Sequence, residues 1–268
     1  MILIRIFTRL VIPQKGISVS GRLTVSGIRQ IIWDMKAYLK FLYLTFCGKS
    51  SLSYPFVAYQ PVQIEYKGQM IRGCVSRDFL KEGEILIPLE KLYRRYTGES
   101  LAVKLAGFSK VTERIQYLTE QVEKITKLKN FGSYLTAMLE IDAFFLNEDR
   151  HTNNIAVIYQ EETQQYALSP LFDQGLCLLA DVKMDYPLEL PLEACLEHIE
   201  AKPFSADFDE QLEAAEALYG IQLQFHFSFK EVQRELDQIA EGYSDAVRER
   251  VEQLLRQQIR KYAYLIKA

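Results

Sequence analysis

Residues 133–175 constrain the fold more tightly than any other stretch of the chain. Over 133–146 the apolar residues Leu135, Met138, Leu139, Phe145 and Leu146 mark the buried face of a predicted helix. Eight polar residues follow: Asn147, Glu148, Asp149, Arg150, His151, Thr152, Asn153 and Asn154. Residues 155–159 then read as a strand, 161–164 as a polar turn and 166–168 as the returning strand. Leu171-Phe172-Asp173-Gln174-Gly175 closes the unit. A polar loop held between a helix and a hairpin is where binding and catalytic side chains concentrate. The hairpin also returns the chain to its starting edge. Asp173, 24 residues after Asp149, is therefore expected to come near it, with Gly175 permitting a sharp turn beside the acid.

The residue types in this unit suit cation and proton chemistry. Asp149 is a candidate to orient a hydroxyl nucleophile or take its proton. Asn154 and Asp173 offer hard oxygen donors of the kind magnesium prefers, one or two from protein and the rest from phosphate and water. An Asp/Asn-rich loop after a helix also reads as a plain turn with capping side chains; the second acid at Asp173 favours a site. His151 fits a hydrogen-bonded residue that shapes the loop better than a general base. Asp142 is open to two readings, an orienting partner of the loop or a solvated acid at a helix edge.

Around this unit strands come first and helices later. Residues 62–66 alternate as a strand, Lys67-Gly68 is a turn, and 71–75 is the returning strand. Ser76-Arg77-Asp78 are expected to leave the sheet, and 80–83 to begin a connection. Val111, Ile115, Leu118, Val122, Ile125 and Leu128 form one helical stripe, read as core, with a spacing that a partner helix would also suit. Further helices are expected over 187–199, 208–219, 229–239 and 245–266. Near the start, 2–12 reads as a strand and 31–46 as a buried helix. The fold class is α+β, with a small mixed lobe and a larger helical lobe. The expected division is an atypical segment at 1–55, the end of the small lobe with a hinge at 56–95, and the helical lobe at 96–268.

Composition narrows the partners. Apolar residues make up 49% and charged residues 25%, the balance of a globular chain. A net charge of -3 and a pI of about 5.8 supply no surplus for nucleic acid or an anionic membrane. Cys47, Cys74, Cys177 and Cys195 lie far apart without a paired spacing, so neither a disulfide framework nor a zinc site is expected. No secretory signal is read at the start, and a cytoplasmic location is expected.

The stretch IDAFFLNEDRHTNNIAVI followed by LSPLFDQG resembles the catalytic and metal-binding loops of HipA-like serine/threonine kinases, a protein-kinase-like group. Its Asp-Arg-His-x-x-Asn core is also similar to the loop of phosphatidylinositol 3- and 4-kinases, and GCVSRDFL resembles the strand that leads into the HipA-like hinge. The resemblance covers about residues 56–268. It implies a bilobal kinase-like fold with a divergent or truncated N-lobe, and transfer of the ATP γ-phosphoryl group to a protein Ser or Thr hydroxyl. Asp149 would be the catalytic acid, with His151 shaping its loop. Asn154 and Asp173 would hold Mg2+ and the nucleotide phosphates, and backbone at Val75, Ser76 and Arg77 would hold adenine. Asn153 stands where HipA itself has a lysine. A toxin–antitoxin setting with an antitoxin-type partner is implied by the resemblance alone. The family should also supply a phosphate-covering loop and a strand lysine. Lys15 sits in a turn, Lys36, Lys40 and Lys49 lie in other local contexts, and Gly21, Gly27 and Gly48 form no phosphate loop. A pseudokinase or binding module is therefore a second reading and a lipid kinase a third, the latter disfavoured by the lack of a basic run after Asp173.

Overall fold

The computed structural model of the chain describes residues 28–33, 42–43, 45–66, 69–238 and 243–267. Among these described residues the β structure lies in two antiparallel sheets of three strands. In the first, β1 (Ile28–Trp33), β2 (Tyr59–Tyr66) and β3 (Gln69–Arg77) are ordered β1-β3-β2. In the second, β4 (Glu84–Pro88), β5 (Ala156–Gln160) and β6 (Gln165–Leu168) are ordered β4-β5-β6. The expected hairpin behind the polar loop is β5–β6, in register from Val157↔Leu168 to Gln160↔Gln165. Its outer neighbour β4 escaped the sequence reading, because a five-residue apolar run shows no period that separates strand from helix.

Several boundaries move. β3 runs on through Ser76 and Arg77, so the chain leaves the sheet only at Asp78. Of the helix expected over 31–46, residues 31–33 belong to β1, where isoleucines suit a pleated strand, and helical backbone is described at 42–43 and 45–47. The strand expected over 2–12 and the turn at 67–68 lie outside the described residues. After β4 come two unforeseen helices, α1 (Leu89–Thr97) and α2 (Leu101–Ala106). The division drawn at 95/96 falls inside α1, and the change from one sheet to the other comes between Arg77 and Glu84.

The remaining helices are α3 (Val111–Thr126), α4 (Phe131–Phe145), α5 (Leu192–Leu196), α6 (Phe208–Tyr219), α7 (Phe229–Gln238) and α8 (Asp245–Lys261), with a 3-10 turn at Ala263–Leu265. The helix expected over 187–199 contracts to α5. Pro187 and Pro191 have no N–H to donate, and Pro191 becomes the N-cap. The helix expected over 245–266 ends at Lys261, where Tyr262 leaves helical geometry (φ -103, ψ 41).

α4 is the axis of the helical part. Every residue in it except Ser133 is buried, so it has no solvent face. α6 and α3 pack along it, and the Val111, Ile115, Leu118, Val122 stripe is spent on this core rather than left for a partner helix. Asp207 caps α6 by accepting the amides of Asp209 and Glu210. At the far end of α4, Phe144 and Phe145 join Phe46, Phe225 and Phe227 in an aromatic cluster. The extended strip around Phe225 bridges Ser50 on one side and Ile266 on the other, tying the described N-terminal helix to the C-terminus. Among the described residues, no helix is long and apolar enough to cross a membrane. Cys47, Cys177 and Cys195 are buried free thiols.

Candidate active site

The polar loop starts from a strained corner. Leu146, the C-cap of α4, holds a left-handed backbone (φ 52), which turns the chain sharply into Asn147. Two groups then fasten the loop to the Asp142 carboxylate, one turn back on α4. Asn147 Nδ2 donates to Asp142 Oδ1 at 2.7 Å, and the Asn147 amide donates to the Asp142 carbonyl at 2.8 Å. Arg150 adds a fork, Nε to Oδ2 at 2.6 Å and Nη2 to Oδ1 at 3.0 Å. Asp142 is thus a buried orienting partner, not a solvated helix-edge acid.

Arg150 also joins the two halves of the site. Its Nη1 donates to the Asn154 carbonyl at 2.8 Å and to the Phe172 carbonyl at 3.0 Å. The end of the polar loop and the residue before Asp173 therefore share one donor. The side chain is wholly buried. Burial works against its charge, but the attraction and hydrogen bonds of Asp142 outweigh this and hold the guanidinium pKa above its ordinary value. Two further bonds stitch the loops, from Glu148 N to Leu176 O at 3.2 Å and from Leu178 N to Phe145 O at 2.8 Å. On the other side, Thr152 Oγ1 donates to Glu90 Oε2 at 3.1 Å and Leu89 N to Ile155 O at 2.8 Å, so the start of α1 braces the loop. Burial alone would raise the Glu90 carboxyl, but hydrogen bonds from Ser100, Ala102, Thr152 and Arg94 lower it below its usual value.

Within this frame the candidate side chains have distinct surroundings. Asp149 is half-buried, and Asn154 Nδ2 donates both to its carbonyl at 2.8 Å and to its Oδ2 at 3.2 Å. With the amide nitrogen of Asn154 so committed, Oδ1 is the end it can present to a cation. His151 Nδ1 accepts the Asn153 amide at 3.2 Å, while Nε2 stands 3.6 Å from Asp149 Oδ1, beyond hydrogen-bond range. Both contacts lie within the polar loop itself. Asp173 is half-buried and itself carries the positive φ of 60, so the sharp turn falls on the acid and not on Gly175. Aspartate enters that region more readily than most residues because its short polar side chain bonds locally.

The end of the first sheet reaches this site through aromatic contact. Val57 and Tyr59 form a small buried cluster with Phe79 and Phe172 packed on it, the two phenyl rings 6.2 Å apart. Val75 and Ser76 lie in the central strand. They pair with Ile31 and Gln30 of β1 on one side and with Gln60 and Tyr59 of β2 on the other, and Arg77 pairs with Ile28. A central ladder uses backbone groups on both edges. The main chain outside the ladder begins at Asp78, where Asp78 Oδ1 accepts the Leu80 amide at 3.1 Å.

The donor set fits a hard cation. The side chains of Asn154 and Asp173 carry the hard oxygen atoms that such an ion would take. Such a pair leaves most of a magnesium shell to phosphate and water, as that ion prefers. The lysine side is different. Lys49 Nζ is engaged by Glu231 Oε1 at 3.1 Å and Glu235 Oε1 at 3.4 Å on α7, and Lys15, Lys36 and Lys40 lie outside the described residues. The sequence reading missed the central role of Arg150. The available signal was an arginine inside the polar octet, eight residues after an acid on a strongly apolar helix.

No protein-family model matches the chain, and no curated protein matches it in sequence. Among solved structures, it is similar to a Helicobacter pylori proinflammatory kinase, CtkA, with a TM-score of 0.57 and 13% identity over 87% of this chain and 86% of that one. At that identity the likeness speaks for the fold alone: the chain has a mixed α+β, kinase-like fold.

Proposed function

We propose that this chain is a HipA-like kinase that transfers the ATP γ-phosphoryl group to a Ser or Thr hydroxyl of a protein. The observation that carries the reading is the buried Arg150, which hydrogen-bonds the carbonyls of Asn154 and Phe172 at once and so couples the loop of Asp149 to the loop of Asp173. The likeness to a structure whose title calls it a kinase supports the same reading. In this mechanism Asp149, braced by Asn154, orients the acceptor hydroxyl and receives its proton. Asn154 Oδ1 and the Asp173 carboxylate would hold magnesium. Bound Mg-ATP supplies the phosphoryl group and part of the charge neutralisation. Because Val75, Ser76 and Arg77 are paired in the β3 ladder, the adenine contact expected there would move to the main chain from Asp78 to Leu80, with the apolar surface of Phe79 and Phe172 beside it.

Calorimetric titration of ATP with and without Mg2+ tests the assignment. Magnesium-dependent binding that falls in Asp173→Asn is expected; absence of nucleotide binding, or binding indifferent to Mg2+, rejects it. A pseudokinase is the second reading, and the engagement of Lys49 by two carboxylates favours it, since that ammonium is taken. It separates from the first by nucleotide binding without phosphate transfer.

A further inference from the structure

We propose that Tyr186 and Arg250 are positioning residues that hold the segment 176–190 against the Asp149 loop without any phosphate on that segment. The proposal deepens the kinase reading and rests on it. Segments that follow a kinase metal loop are commonly ordered by phosphorylation, which supplies a charge for arginine to bind. Here residues 174–204 contain neither serine nor threonine, and their one hydroxyl belongs to Tyr186. That hydroxyl is not open to modification. Tyr186 is 6% exposed, and its OH donates to Glu148 Oε1 at 2.5 Å, one residue from Asp149. The same Glu148 oxygen accepts the Glu200 amide at 3.4 Å.

Arg250 supplies the second hold. It is 7% exposed, and no ion pair among the described residues includes it. Its donors go to main chain instead, with the Cys195 Sγ at 3.8 Å beside them. Nη1 donates to the carbonyls of Tyr186 and Pro187, each at 3.0 Å, and Nη2 to those of Leu188 at 3.0 Å and Leu190 at 2.6 Å. A buried guanidinium needs acceptors. Four carbonyls drawn toward one cation fix the path of 186–190, which is the ordering a phosphate would otherwise bring. The segment also closes on itself: the amides of Asp185 and Tyr186 donate to the Asp181 carbonyl at 3.1 and 2.9 Å. Leu178 and Leu179, both fully buried, hold left-handed backbones (φ 50 and 57), a geometry that persists only where the surroundings over-determine it. Burial pushes the Glu148 carboxyl above its ordinary value, and the Tyr186 hydroxyl pulls it back, so this bond favours the anion that accepts it.

The test uses the full chain as wild type, Tyr186→Phe, Glu148→Gln and Arg250→Lys. Amide hydrogen exchange is followed over 148–151 and 176–190, with kcat and KM for Mg-ATP turnover measured in parallel. Loss of a hydrogen bond to a charged acceptor is worth about tenfold. Tyr186→Phe is expected to exchange about tenfold faster in both stretches and to lose about tenfold in kcat at unchanged ATP KM. Glu148→Gln keeps an acceptor for Tyr186 but removes its charge, so its exchange should fall between wild type and Tyr186→Phe. Arg250→Lys should loosen 186–190; if it does not fold, Tyr186→Phe, which lacks a single oxygen, carries the test. Phosphatase treatment of the wild type should change neither exchange nor turnover. Wild-type exchange in Tyr186→Phe, or loosening of 176–190 by phosphatase, would overturn the proposal. A wild type that neither binds nor turns over Mg-ATP would overturn the kinase reading instead, and the exchange comparison would still decide the positioning one.

Discussion

A buried guanidinium must be met by acceptors, and Arg150 meets both oxygens of Asp142 and the carbonyls of Asn154 and Phe172. Removing either partner leaves the other charged, desolvated and alone, which costs about 3–5 kcal/mol for a buried pair. Arg150→Met and Asp142→Ala are each expected to lower stability by about that much in urea unfolding. Arg150→Lys is not a rescue, because an ammonium lacks the planar fork that reaches both oxygens and both carbonyls. The pair was only half legible in the sequence. Arg150 stands in an obviously polar octet, but Asp142 read equally as a solvated edge residue, since a pattern with one apolar face does not reveal that α4 is buried on every side. A second prediction separates the two acids. Asp173→Asn should weaken Mg-dependent ATP binding by about tenfold, and Asp149→Asn by less than about threefold, because the first is assigned to metal and the second to the acceptor hydroxyl. Equal losses in calorimetric titrations would contradict that division.

Between elements, the α4–α6 contact sets the tightest tolerance. A Cβ on Gly132 would stand 2.4 Å from Tyr219 Cε1, inside any permitted contact, so α6 seats on α4 only because that position carries no side chain. Gly132→Ala should force the Tyr219 ring aside and cost about 1–3 kcal/mol, measured as a lowered urea midpoint, against the gain an alanine normally brings to a helix. Glu140 lies on the same helix with Oε1 accepting the Gln222 amide at 2.7 Å and Oε2 without a partner among the described residues. Burial, with Glu216 nearby, pushes its carboxyl from 4.5 to about 8, although the amides of Gln222 and Leu223 pull the other way. The folded state therefore holds this proton more tightly than the unfolded chain. The stabilisation is complete below pH 4.5 and is lost as pH rises through about 8, at about 1.4 kcal/mol per pH unit between. Glu140→Gln keeps the acceptor and should flatten that slope, which unfolding titrations at about pH 5 and about pH 8 will read. Neither feature was legible beforehand. The span of α6 was, because Asp207 and the apolar period mark it locally, but which helix meets Gly132 or Glu140 is a matter of tertiary packing.

At the scale of the molecule, the legible half of the site is the half built from neighbours in sequence. Asp149, Asn154, the β5–β6 hairpin and Asp173 lie within one stretch of chain, so period and turn chemistry suffice to order them. The other half depends on pairings across long separations. β1 pairs with β3 some forty residues away in sequence, and its isoleucines read as the start of a helix until that partner is known. A lysine on the phosphates, which the kinase reading calls for, would belong to this second half: among the described residues Lys49 is held by Glu231 and Glu235, and Lys15, Lys36 and Lys40 lie outside them. Phosphoryl transfer rests on positioning and charge stabilisation, and a cation on the phosphates contributes to both. Without it a misplaced γ-phosphate would cost about 100-fold in rate, while the residues proposed to hold the metal would still support nucleotide binding. Radiolabelled phosphate incorporation by this chain is therefore expected to be weak and to vanish in Asp149→Ala. Lys49→Met should leave that labelling unchanged, since the ammonium already serves α7. Robust labelling that depends on Asp149 would instead place a working lysine among residues outside the structural description, with Lys15→Met the first substitution to abolish it; robust labelling lost in Lys49→Met would mean that the pairing with Glu231 and Glu235 opens when nucleotide binds.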